Sequence, residues 1–225
     1  MNHRFIQFPR RRGLAGLLLM GAVLAGTTTR SQPGEPAAAK GSRPAANATE
    51  PQYNEQGDLK RPEGFESWVF VGANLGVEYR DDDAPPAPAD KAPPKNPKVG
   101  NFHNVYINPE AFDVYAKTGK FPDKTILVLD VYKANAGDPK SIVSEGLFPG
   151  KQAGVAVAVK NRNRPDGSKI DWAYYDFDLD KKTAKAFPDK ACYDCHIQHA
   201  DDDNVWVQMY PTLRRIREQR LRRSK

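Results

Sequence analysis

Residues 125–132 read TILVLDVY, a run of apolar and β-branched side chains that is typical of a β-strand. Four similar segments lie at 68–71 (WVFV), 102–107 (FHNVYI), 154–160 (GVAVAVK) and 172–177 (WAYYDF). In the GVAVAVK segment valine alternates with smaller or polar residues, which indicates a strand with one buried face. The sequence therefore predicts a β-rich domain whose sheet is mostly antiparallel.

A helix between the second and third strands has clear boundary signals. Asn108 stands at the N-cap, Pro109 at the first helical position and Gly119 at the end. Two further helices are expected, one from about Ala191 and one from Pro211 into the Arg-rich end. A run of strands with helices grouped at one end predicts an α+β fold.

Composition divides the 225 residues into parts. Residues 1–25 join an arginine-rich start to a short apolar run, which predicts an export signal peptide. The run is short for a membrane span, so an uncleaved anchor is the less favoured alternative. Residues 26–51 are rich in small residues and predict a disordered linker. The folded domain is predicted at 52–215, with a Pro-rich loop at 81–98 and a basic tail at 216–225.

The charge of the chain lies mainly at its ends. The net charge is +6, and seven of the twelve residues from 214 to 225 are Arg or Lys. This distribution does not indicate nucleic-acid binding. The basic end is either a solvated helix end or a docking patch for an acidic redox partner or anionic lipid.

The only two cysteines of the chain lie in one motif, CYDCH at residues 192–196. The spacing Cys-x-x-Cys-His is that of covalent attachment of c-type haem. The thiols of Cys192 and Cys195 can add to the two vinyl groups of one porphyrin, and His196 can supply an axial nitrogen to the iron. The motif therefore predicts one haem c per chain, bound by Cys192, Cys195 and His196, with His196 as the metal ligand.

Two other uses of the cysteines are less well supported. A Cys-x-x-Cys disulfide would suggest a thioredoxin-like protein, but the βαβ pattern of that class is absent from the sequence. A zinc site could use Cys192, Cys195 and His199, but a fourth ligand is lacking.

The sixth coordination position of the iron has three candidate ligands. His199 lies too close to His196 to reach the opposite face of the ring. Met209 is more typical of a thioether packed near the porphyrin, and His103 is more typical of a partly buried strand residue. The sequence therefore favours a five-coordinate iron with an open distal face, while Met209 or His103 would indicate an electron carrier.

Several stretches together resemble the cytochrome P-460 family, which includes cytochrome c′-β. The resemblance covers about residues 52 to 215. The matching stretches are YNEQG (53–57), WVFVG (68–72), VYINP (105–109), KTGKFPD (117–123), WAYY (172–175), CYDCH (192–196), Tyr210-Pro211 and Leu213-Arg214.

This resemblance implies a mostly antiparallel β fold, one covalent haem, a histidine-ligated iron with an open distal site, and a homodimer. Family members that oxidise hydroxylamine carry a lysine bonded to the porphyrin and a carboxylate in the distal pocket. The corresponding positions in this chain are Leu129 and Ala156. Neither side chain can supply the cross-link or accept a proton.

A pocket lined by Leu129, Ala156 and aromatics such as Phe102 would be apolar. It would favour small neutral ligands such as NO and CO. We therefore expect an exported, periplasmic mono-haem cytochrome that binds such gases, passes electrons to a periplasmic partner, or both. The alternative is an oxidoreductase that oxidises hydroxylamine or a related nitrogen compound.

Overall fold

The computed structural model describes residues 49–77 and 100–223. The predicted signal peptide, nearly all of the predicted linker and the Pro-rich stretch 81–98 lie outside these residues. Within the described part of the chain, no helix is both long and apolar enough to cross a membrane.

The described residues form seven strands and three α-helices. In order they are β1 Leu59–Lys60, β2 Val69–Leu75, β3 Asn101–Ile107, α1 Pro109–Thr118, β4 Ile126–Ala136, β5 Leu147–Lys160, β6 Trp172–Phe177, β7 Thr183–Ala184, α2 Asp189–His199 and α3 Pro211–Arg223. Short 3-10 turns lie at Phe65–Ser67 and Val207–Met209. The predicted α+β fold is confirmed.

The main sheet has the order β2-β3-β4-β5-β6, and every neighbouring pair is antiparallel. Strands β1 and β7 form a separate two-stranded sheet. All five strands predicted from the sequence lie in the main sheet. The two-residue strands were not predicted, because they are too short to show an apolar period.

Strands β4 and β5 are longer than their apolar patterns predicted. Beyond Tyr132 the two strands continue to pair with each other, for example Ala134 with Pro149, and the register is irregular there. Backbone hydrogen bonds maintain this pairing although neither strand has an apolar face there. The sequence therefore shows no alternation of apolar side chains that would predict these extensions. The two strands form a hairpin arm that extends past their neighbours.

The two faces of the main sheet pack against different parts of the chain. Successive side chains of β4 point to opposite faces. Leu127 belongs to the core beneath the helices, with Tyr115 of α1 and Leu213 of α3. Val128 belongs to a second core on the other face, which includes Phe65.

Helix α1 has the predicted bounds, but Asn108 does not cap it with its side chain. The Asn108 side chain instead accepts a hydrogen bond from the backbone N–H of Ile126 at 2.8 Å and donates to the carbonyls of Thr49 and Lys124. Asn108 is buried, and these partners are far away in sequence. Its amide therefore joins the start of β4 to the start of α1.

The start of α3 lies directly against β2 at Gly72. A Cβ atom at Gly72 would lie 2.8 Å from Cδ of Pro211 and 3.1 Å from Cα of Tyr210. Real Cβ atoms essentially never come within 3.0 Å of such an atom. The glycine therefore permits this close approach.

We expect Gly72→Ala to lower the free energy of unfolding by about 1–3 kcal/mol, because the proline ring and the backbone must move to admit the methyl group. The measurement is the urea midpoint of unfolding. Gly154→Ala, in β5 of the same sheet, is the matched control, because the nearest atom to its Cβ would be the carbonyl oxygen of Phe177 at 3.9 Å. Equal midpoints for the two variants would contradict the prediction.

Candidate haem-binding site

A buried arginine fixes the start of α2, the helix that carries CYDCH. The Arg164 guanidinium donates to Asp189, the first residue of α2, at 3.2 Å and to Asp166 at 3.0 Å. It also donates to the backbone carbonyls of Ile170 and Trp172. Charge-assisted hydrogen bonds of this kind hold the helix start at a defined place beside β6.

A cavity of about 180 Å³ lies between α2 and the main sheet. Its helix side includes Cys192 and His196, and its sheet side includes Val105, Leu129 and Ala156. The other lining residues are Leu127, Val157, Ala158, Tyr174, Tyr175, Phe187, Asn204, Val205, Trp206 and Tyr210. The structure thus brings Cys192 and His196 of the motif to one cavity with the two wall positions deduced from the resemblance.

Leu129 and Ala156 are direct neighbours on the cavity wall. Leu129 pairs with Val105 of β3 on one side and with Ala156 of β5 on the other. These three side chains share one face of the sheet. The wall opposite the motif is therefore aliphatic. The resemblance implies a lysine and a carboxylate at the positions of Leu129 and Ala156 in the family members that oxidise hydroxylamine.

His196 is held by hydrogen bonds on both ring nitrogens. Nδ1 lies 2.8 Å from the backbone carbonyl of Asn204, and Nε2 accepts a hydrogen bond from the indole N–H of Trp206 at 3.2 Å. A carbonyl oxygen can only accept, so Nδ1 carries the proton and Nε2 carries the lone pair. The ring also packs against Tyr174, with centroids 4.5 Å apart.

Burial favours the neutral forms of His196 and Cys192. Burial lowers the pKa of His196, and the hydrogen bond to the Asn204 backbone opposes this only in part. Burial and the neighbouring Cys195 raise the pKa of the Cys192 thiol. A raised thiol pKa disfavours thiolate chemistry such as disulfide exchange.

The residues of the cavity fit a haem. The cavity offers aliphatic walls for a flat apolar ring, a neutral imidazole with a fixed tautomer for iron, and one thiol of the Cys-x-x-Cys pair. Cys195 is half-buried on the same helix but does not line the cavity. The volume is below the roughly 300 Å³ of typical enclosed pockets, so a macrocycle would be only partly covered. Trp206 and an iron atom would require the same Nε2 lone pair.

The alternative ligands lie away from this cavity. Met209 is 40% exposed in the turn that precedes α3, and His199 is exposed at the end of α2. His103 faces the cavity side of β3, opposite Val131, but does not line the cavity. The structure does not bring Met209 or His103 to the cavity. No group of three or more His, Cys, Asp or Glu side chains suited to a metal ion occurs among the described residues.

Three residues near the cavity were not predicted from the sequence. Asn204 acts through its backbone carbonyl, and the preceding Asp-rich run 201–203 signalled only a turn. Trp206 had no motif of its own. Asp176 pairs with Ala156 across β5 and β6, so its exposed carboxylate shares the cavity-facing side of the sheet.

An antiparallel sheet with an apolar cavity against a Cys-x-x-Cys-His helix defines a haem-binding class of protein. The family model described as Cytochrome P460 matches residues 62–207 of the chain. No curated protein matches it. The match covers more than half of the 225 residues, so the chain belongs to the cytochrome P-460 family, which implies haem binding.

We expect His196 in the haem-free chain to titrate with a pKa below 6.5, because burial penalises the imidazolium. The burial of His103 lowers its pKa as well. The unfolded chain then binds more protons than the folded one just below pH 6.5, so folding stability should fall as the pH drops through that range. Histidine NMR titration of folded and urea-unfolded protein measures the pKa values. A His196 pKa above 6.5 in the folded chain would refute this.

Proposed function

We propose that this protein is a mono-haem c-type cytochrome whose open iron site binds small neutral gases such as NO and CO. Cys192 and Cys195 would hold the porphyrin by thioether bonds, and His196 would ligate the iron through Nε2. The observation that carries the proposal is that Cys192 and His196 face Leu129 and Ala156 across one cavity.

The aliphatic wall determines which ligands this site prefers. When bound, a haem supplies an iron coordination position on the side away from His196. Leu129, Ala156 and Val105 offer no hydrogen bond and no countercharge to a molecule at that position. A charged ligand would lose its hydration without replacement, which costs several kcal/mol, whereas a neutral diatomic gas loses little.

Electron transfer is a compatible use of the same haem. Arg215, Arg222 and Arg223 are exposed on α3 and would suit an acidic partner protein. We further propose that the chain is exported to the periplasm and forms a homodimer, as its N-terminal sequence and its resemblance suggest.

The second candidate function is oxidation of hydroxylamine or a related nitrogen compound. Asp176 favours it, because this carboxylate neighbours Ala156 on the cavity-facing side of the sheet and is the type of group that accepts a proton. Turnover of hydroxylamine with an added electron acceptor, lost in Asp176→Asn, would establish this function over simple gas binding.

The covalent attachment can be tested by extraction with acidic acetone. We expect the haem to stay with the wild-type polypeptide, because thioether bonds survive denaturation, and to be extracted from Cys192→Ser/Cys195→Ser. Asp194→Ser is the matched control, because it changes an exposed residue between the two cysteines. Extraction of the wild-type haem would disprove covalent attachment.

The open site can be tested by adding CO to the ferrous protein. We expect a spectral change in the wild type and an affinity about tenfold lower in Ala156→Leu, which corresponds to about 1.4 kcal/mol. The added carbons would occupy the space beside the ligand. Ala153→Leu, at an exposed position of the same strand, should bind CO as the wild type does. An unchanged spectrum on CO addition would mean that the iron is already six-coordinate.

A further inference from the structure

Lys160 buries an ammonium group at the end of β5. Its side chain is 9% exposed, and Nζ lies 2.6 Å from Oδ2 of Asp203, 3.2 Å from the carbonyl of Phe121 and 3.8 Å from Asp171. A buried ammonium is retained only where such partners replace its hydration. The side chain therefore ties the end of β5 to the segment that follows α2.

Asp203 is held from two directions. Oδ2 accepts from Lys160, and Oδ1 accepts from the indole N–H of Trp172 at 3.1 Å. The backbone at Asp203 and Asn204 is left-handed, with φ of 47° and 61°. A non-glycine residue in this region is strained and persists where its surroundings hold it there. The two hydrogen bonds to Asp203 hold its backbone in this conformation.

The left-handed pair forms the centre of a turn that faces His196. The N–H of Val205 donates to the carbonyl of Asp202 at 2.8 Å and closes this turn. The carbonyl of Asn204 then points at Nδ1 of His196, 2.8 Å away. A change in the backbone angles of Asp203 would rotate the turn and move this carbonyl.

We propose that Lys160 is a positioning residue for the proximal histidine, acting through Asp203 and the turn at 202–205. By fixing the Asn204 carbonyl, it sets the tautomer and orientation of His196 and makes the imidazole a stronger donor to iron. The proposal rests on the proposed function, in which His196 ligates haem iron. An ion pair that only stabilises the fold would not change the strength with which His196 donates to iron.

The test measures the iron–histidine stretching frequency by resonance Raman, and the midpoint potential, of the purified holoprotein. In Lys160→Met we expect a lower frequency and a higher potential, because a weaker donor stabilises ferric iron less. A tenfold change in the ferric-to-ferrous ratio corresponds to 59 mV for one electron. Lys160→Arg, which keeps a cation, should recover part of both shifts. Asp203→Asn should shift the frequency and the potential in the same directions as Lys160→Met does. It replaces Lys160→Met in the test if that variant does not fold.

A destabilised control separates positioning from stability. Val159 is fully buried in the second core on the other face of β5, so Val159→Ala loses stability without touching the turn. This variant should keep the wild-type frequency and potential. Wild-type values in Lys160→Met and Asp203→Asn would overturn the inference and leave the proposed function standing. A wild-type holoprotein without an iron–histidine band would overturn the proposed function itself, and this inference with it.

Discussion

The pairing register of β4 with β5 is the constraint on which the site depends. It sets Leu129 opposite Ala156 with both side chains on the cavity wall. Because strand side chains alternate, a slip of β4 by one residue would turn Leu129 away from the cavity and bring Asp130 to the cavity face. In the native register Asp130 is 1% exposed on the other face, where Gln152 donates to it at 2.6 Å. The slip is opposed because Asp130 would lose this hydrogen bond and place its carboxylate against an apolar wall.

Two buried cations border the motif helix. Arg164 binds Asp189 at the start of α2, and Lys160 binds Asp203 in the turn beyond its end. None of the residues of α2 is fully buried, so apolar packing alone holds this helix weakly. The ion pairs compensate for that by directional contacts, which fix positions better than apolar packing does. The fold thus relies on polar contacts where the histidine has to be placed accurately.

Local signals in the sequence predicted the main strands, α1 and the motif helix, because those features follow from apolar period, helix-end residues and cysteine spacing. The resemblance to the cytochrome P-460 family also predicted that Leu129 and Ala156 line the site. The Asn108 bridge, the Asn204 carbonyl and the link from Lys160 to Asp203 could not be predicted. Each joins residues through tertiary contacts, and Asn204 acts through a backbone atom that every residue possesses. Side-chain identity therefore carried no signal for that role.

The hydrogen bond from Trp206 to Nε2 of His196 has a consequence for the order of maturation. If His196 ligates iron as we propose, a chain that folds before it receives its cofactor has the indole of Trp206 on the lone pair that the iron would need. A neutral hydrogen bond contributes only about 0.5–1.5 kcal/mol net, so this occupancy delays loading without preventing it. In the proposed haem protein, loading on the unfolded chain would avoid this competition altogether. If the haem is attached covalently as we propose, Trp206 favours attachment first and closure of the domain second.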